Sequence, residues 1–149
     1  MLSVLDPLCL SPEPYRPGLI AQEIDACVHA GFPSPAEDFQ AERIDVLKHI
    51  VRHPQATYTL RVRGDSMRDE GVFDGDVILV DRAIKPRHGL IVVAVVDGAF
   101  TCKKLWLRAG KLKLQAANPA YEDIVPQDGQ TIEVWGVVTA SIKRFRGAK

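Results

Sequence analysis

Leu90-Ile91-Val92-Val93-Ala94-Val95-Val96-Asp97-Gly98-Ala99-Phe100-Thr101-Cys102-Lys103-Lys104-Leu105 is the stretch that decides the fold. Its first seven residues are a β-rich apolar run, and the run after Asp97-Gly98 is a second one. Both turn residues tolerate positive backbone angles, so the pair predicts a tight antiparallel hairpin. Working outward, similar runs occur at Thr57 to Val62, Val77 to Asp81, Lys111 to Ala116 and Ile132 to Phe145, with a second turn at Ala109-Gly110. The body is therefore expected to be mainly β, a small curved antiparallel β domain.

A chain of 149 residues with 46% hydrophobic and 26% charged residues has room for one well-buried domain and little else. Four prolines between Pro7 and Pro17 rule out a continuous helix, so residues 1–30 read as an extended arm and 31–149 as the domain. At the boundary, Ser34 suits a helix cap, with Pro35 at the first helical position and Glu37 completing a capping box. Phe39, Ile44, Leu47 and Val51 then recur at roughly helical spacing until Pro54, which predicts one helix from about Pro35 to Arg52.

Lys+Arg and Asp+Glu both number 19, so no global positive excess exists to hold a polyanion, and direct DNA binding is not expected. Cys9, Cys27 and Cys102 form no C-x-x-C pair and suit the reducing cytoplasm. The apolar start Met1 to Leu5 is broken by Asp6 and the prolines, so no export signal or membrane span is expected.

The chemistry concentrates in Gly64-Asp65-Ser66-Met67, a turn following a strand. Ser66 there either supports the turn or exposes a nucleophilic hydroxyl. No histidine stands in a triad arrangement: His29 is in the arm, His49 and His53 are on the expected helix, and His88 precedes Gly89. Lys103 and Lys104 lie on the strand after Asp97-Gly98, and because strand side chains alternate, only one of them can face a buried site. A lysine held in an apolar site loses its charge at lower pH, and its neutral amine can then accept a serine proton. Alternation alone leaves both lysines open, as it leaves open two solvated edge-strand lysines.

Gly31-Phe32-Pro33-Ser34-Pro35-Ala36, His53-Pro54, Ala56-Thr57-Tyr58, Gly64-Asp65-Ser66-Met67, Gly75-Asp76, His88-Gly89, Val96-Asp97-Gly98, Phe100-Thr101 and Lys103-Lys104-Leu105 together resemble the UmuD and MucA family of SOS mutagenesis proteins, from about Gly31 to the C-terminus. LexA and the phage repressors share a more distant version. The resemblance implies a LexA- and signal-peptidase-like catalytic core with Ser66 as nucleophile and Lys103 as base. It further implies a cut at Ala30-Gly31 in the chain's own arm, where relatives often carry cysteine in place of Ala30. Backbone amides of Ser66 and Met67 would hold the oxyanion. The implied partners are a second copy of the chain, a RecA filament on single-stranded DNA and a UmuC-like Y-family translesion polymerase, with no cofactor.

Other motifs carry less. His49 and His53 have metal-ligand spacing but no third ligand, so no metal is expected. Cys102 alternates with Phe100 as a core residue would. The basic end, Lys143 to Lys149, reads as a solvated tail. A LexA-type repressor would need a DNA-binding module that thirty proline-broken residues do not form. A signal peptidase would need a membrane span. The LexA-type repressor is the runner-up reading, and a catalytically inactive interaction module is the other alternative.

Overall fold

The structure, a computed structural model, describes residues 13–14, 20–24, 30–31 and 41–146. Nine strands are described: β1 Glu13–Pro14, β2 Ile20–Ile24, β3 Ala41–Asp45, β4 Thr57–Arg61, β5 Val77–Asp81, β6 Ile91–Val96, β7 Ala99–Arg108, β8 Lys111–Gln115 and β9 Ile132–Ile142, with one short helix, α1 Val46–Ile50. Seven of the strands form one sheet in the order β1-β4-β5-β9-β6-β7-β8, every pair antiparallel, and β2 pairs with β3 in a second. The mainly β, antiparallel class expected from the alternating runs is the one observed.

Both turns have the chemistry the sequence requires of them. Asp97 and Gly98 have φ of 47° and 82°, and Ala109 and Gly110 have 50° and 72°, so both two-residue connections take the doubly left-handed form that matches strand twist. β6 is almost wholly apolar because both of its faces are covered. Val93 joins the cluster of Leu60, Val62, Ile78, Val80 and Cys102, while Val92, Ala94 and Val96 join that of Leu105, Leu114 and Val137.

Curvature comes from β9. Its register against β5 slips between Leu79 and Val80, leaving Thr139 extra, and against β6 it slips between Val93 and Ala94, leaving Trp135 extra. Two bulges in one strand bend it and raise the local twist, so the sheet coils instead of lying flat.

The expected helix from about Pro35 to Arg52 needs correction. Ala41–Asp45 is a strand paired with Ile20–Ile24, and among the described residues of that span α-helix is confined to Val46–Ile50. An available strand partner satisfies the backbone of Ala41–Asp45 and overrides its weak helical spacing. The cap is Asp45, whose Oδ1 accepts from the N–H groups of Leu47 and Lys48 at 3.1 and 3.4 Å. The expected cap at Ser34, Pro35 and Glu37 lies outside the described residues, as do Cys9, Cys27 and His29. No helix among the described residues is long and apolar enough to cross a membrane.

Candidate active site

Ser66 and Lys103 come from elements far apart in the sheet. Ser66 follows β4 and Lys103 lies on β7, and three strands separate these two, which in a flat sheet would put them about 19 Å apart. The coiling of the sheet and the connection after β4 close that distance. Lys103 Nζ donates to Ser66 Oγ at 2.7 Å.

The connection is held at several points. Val62 and Gly75 continue the ladder beyond β4, and the Gly64 N–H donates to Asp74 Oδ1 at 2.7 Å, with Gly64 at φ 88°. One turn of 3-10 helix, Arg68–Glu70, follows and ends at Gly71 in the left-handed region. Met67 is buried in the same cluster as Cys102, so the neighbours of the two site residues pack together and carry Ser66 against β7.

The two lysines separate as strand alternation requires. Lys103 is fully buried, paired across the hairpin with Val92 and sharing its face with Thr101 and Leu105. Lys104 faces outward and forms a 2.5 Å ion pair with Glu70 in the turn below Ser66. Of the two, Lys103 is the one brought to Ser66.

Ser66 and Lys103 are each 0% exposed. Among the described residues the Lys103 ammonium has Ser66 Oγ and, at 3.1 Å, the Cys102 carbonyl as partners, and no carboxylate pairs with it. Burial disfavours the charged amine and lowers its pKa from 10.5 to about 8, against a weaker upward pull from Cys102. The Cys102 thiol is pushed up to about 12 by burial, so it stays protonated, as a core residue does. A cleft of about 600 Å³ opens over Lys103, walled by Val96, Tyr121, Glu122, Val125 and Gln130.

The segment after β8 braces the Ser66 turn, a contribution the sequence did not disclose. Its Ala117 N–H donates to the Ser66 carbonyl at 2.7 Å, and its Ala117 carbonyl accepts from the Asp69 N–H at 2.8 Å. Asn118 Nδ2 donates to the Asp65 carbonyl at 3.0 Å, and the Tyr121 hydroxyl donates to Asp65 Oδ1 at 2.5 Å. The dipeptide Asn118-Pro119 is a turn signal in sequence, but nothing local says which loop that turn will meet.

The remaining expected residues fall as follows. Ala30 and Gly31 are exposed, at a bend in the connection between β2 and β3. His49 lies in α1, whereas His53 lies beyond it and donates through Nδ1 to Asp81 Oδ2 at 2.7 Å, so the two are not neighbours on one helix face. Among the described residues no three His, Cys, Asp or Glu side chains converge as metal ligands would.

The peptidase S24-like family model matches residues 22–139. The chain is 43% identical to protein MucA of Salmonella typhimurium over 117 residues, covering 77% of this chain and 79% of MucA. It is 44% identical to protein SamA of Salmonella typhimurium strain LT2 over 117 residues, 78% of this chain and 81% of SamA. LexA repressor 2 of Xanthomonas oryzae pv. oryzae is 37% identical over 134 residues, 90% of this chain and 62% of the repressor. The resemblance read from the sequence motifs is thereby borne out.

Proposed function

The chain belongs to the peptidase S24-like family, and on that premise we propose that it is a self-cleaving serine peptidase with a Ser66–Lys103 dyad that cuts its own Ala30-Gly31 bond. The observation that carries this reading is the 2.7 Å contact between a buried lysine and a buried serine hydroxyl. A solvated structural lysine would keep its ordinary pKa, whereas this one is brought to about 8, where a useful fraction is neutral near physiological pH.

In the proposed reaction the neutral Lys103 amine takes the Ser66 proton while Oγ attacks the Ala30 carbonyl carbon. The Ser66 and Met67 N–H groups stabilise the oxyanion. Collapse breaks the bond to the Gly31 nitrogen, which takes the proton from Lys103 and leaves an Ala30 acyl ester on Ser66. Lys103 then deprotonates a water that hydrolyses the ester, releasing the arm and restoring the serine. Ala30 and Gly31 are small and exposed, which suits an extended segment laid into the cleft over Lys103.

Likeness to MucA and SamA extends the proposal to SOS mutagenesis. The chain would act as a homodimer, a RecA filament on single-stranded DNA would stabilise the arrangement with the bond in the cleft, and the shortened product would serve a Y-family translesion polymerase. On this view the filament supplies no catalytic group, only a shift in population.

The test is intact mass after incubation at about pH 10, close to the free-lysine pKa, beside Ser66→Ala and Lys103→Ala. A product beginning at Gly31 from the unaltered chain alone is the expected result. An intact unaltered chain, at that pH and again with RecA filament present, would sink the peptidase reading in favour of an interaction subunit.

A further inference from the structure

Two peptide planes flank the Ser66 side of the turn, and the segment after β8 grips both. Asn118 Nδ2 holds the Asp65 carbonyl and the Ala117 N–H holds the Ser66 carbonyl. In a planar trans peptide the C=O and the following N–H point in opposite directions. Holding the Asp65 carbonyl therefore aims the Ser66 N–H, and holding the Ser66 carbonyl aims the Met67 N–H. Only the first grip is made by a side chain.

Asn118 is itself locked. It is 6% exposed, and its Oδ1 accepts from the Ala120 N–H at 3.0 Å. With Oδ1 facing a donor and Nδ2 facing a carbonyl, a flipped amide would set like against like, so one orientation is selected. The Tyr121 N–H closes the turn on the Asn118 carbonyl at 3.0 Å, and the Tyr121 hydroxyl ties the same turn to the Asp65 carboxylate.

We propose that Asn118 is a positioning residue for the acyl transfer: its bond to the Asp65 carbonyl sets the direction of the Ser66 N–H toward the oxyanion. This rests on the self-cleavage reading above. Deleting an oxyanion donor outright typically slows a peptidase by about 10²- to 10³-fold, so misaiming one that remains is expected to slow cleavage by roughly 10- to 100-fold.

Two measurements on the full chain decide the matter. The first is the rate of self-cleavage across pH for the unaltered protein and Asn118→Ala. The second is the N–H direction at positions 66 and 67, from residual dipolar couplings in the uncleavable Ser66→Ala chain with and without Asn118→Ala. The expected result is a plateau rate at least about tenfold lower, an unchanged pH midpoint, a turned N–H at position 66 and an unturned one at 67. A folded Asn118→Ala chain that cleaves at the unaltered rate would overturn the proposal. So would a loss caused wholly by a shifted midpoint, which would place the effect on Lys103, or an unturned N–H at position 66. If the unaltered chain never cleaves, the peptidase reading falls, and the dipolar couplings alone uphold or overturn the aiming role. Should the alanine variant fail to fold, Asn118→Ser, which keeps a short acceptor for the Ala120 N–H, replaces it under the same criteria.

Discussion

Lys103, the proposed base, is buried at a cost in stability, and the sign of that cost can be measured. Its pKa is about 8 in the fold against 10.5 when free, so between those values the unfolded chain holds more protons than the folded one. Stability contributed through this group therefore rises with pH across that window, and below about pH 8 the buried charge is a full penalty. Lys103→Met, of similar length and uncharged, is expected to raise the unfolding free energy at pH 7 by about 2 kcal/mol while abolishing cleavage. Urea titrations at pH 7 and pH 9.5 check this. The variant should lose most of the rise that the unaltered chain shows between them, and a variant less stable at pH 7 would contradict the account. Asp76 behaves in the opposite sense. Burial pushes its carboxyl up, but hydrogen bonds from Lys143, the Phe73 N–H and Ser141 prevail and hold it below 3.8. Its contribution is present above the ordinary carboxylate range and is lost as acid protonates it. At this scale the sequence narrowed the candidate base to two adjacent lysines, and family resemblance pointed to Lys103. Strand alternation could not say which face was buried, because burial depends on strands remote in the chain.

Among the elements, the hairpins were legible because their turns are local chemistry. Asp97 is suited to its φ of 47°, and its carboxylate also accepts from Gln130 Nε2 and the Thr131 N–H at 3.0 and 3.2 Å. Ala109 occupies an equivalent position at φ 50° with no side-chain polar group to offset the crowding of its Cβ. Ala109→Asn is therefore expected to stabilise the chain by about 0.5–1 kcal/mol, and Asp97→Ala to destabilise it by about 1 kcal/mol or more. Thermal unfolding of the pair should move in opposite directions, and a shared direction would mean the turns are not limiting. The helix was less legible. Phe39, Ile44, Leu47 and Val51 approximate a helical repeat, but β2 offers Ala41–Asp45 a strand partner, and no local pattern reveals a partner that lies 17 to 25 residues earlier. The brace from Ala117, Asn118 and Tyr121 was hidden for the same reason: its residues look like an ordinary turn until the fold sets them against Ser66.

Over the whole molecule, the contact between Ser66 and Lys103 depends on β9. The sheet has one half built of β1, β4 and β5 and another of β6, β7 and β8, and β9 is the strand that pairs with both. Ser66 comes from the first half and Lys103 from the second, so their 2.7 Å separation reports how β9 seats the two together. Gly136 sits between the two bulges, where an added Cβ would meet Val80 Cγ1 at 2.6 Å and the Asp81 carbonyl at 3.4 Å. Val80 is fully buried and has little room to yield. Gly136→Ala should force the halves apart by a few tenths of an ångström and destabilise the chain by about 1–3 kcal/mol. If the proposed cleavage needs both halves in register, its rate should fall even at temperatures where the variant is fully folded, with the pH midpoint moving up toward the free-lysine value as water reaches Lys103. Intact-mass kinetics across pH, taken with a denaturant titration on the same sample, separate the possibilities. A stability loss with unchanged rate and midpoint would mean that the Met67 and Cys102 packing holds Ser66 on β7 without help from β9. Lower stability, a slower rate and a raised midpoint together would make the central strand part of what sets the Ser66–Lys103 geometry.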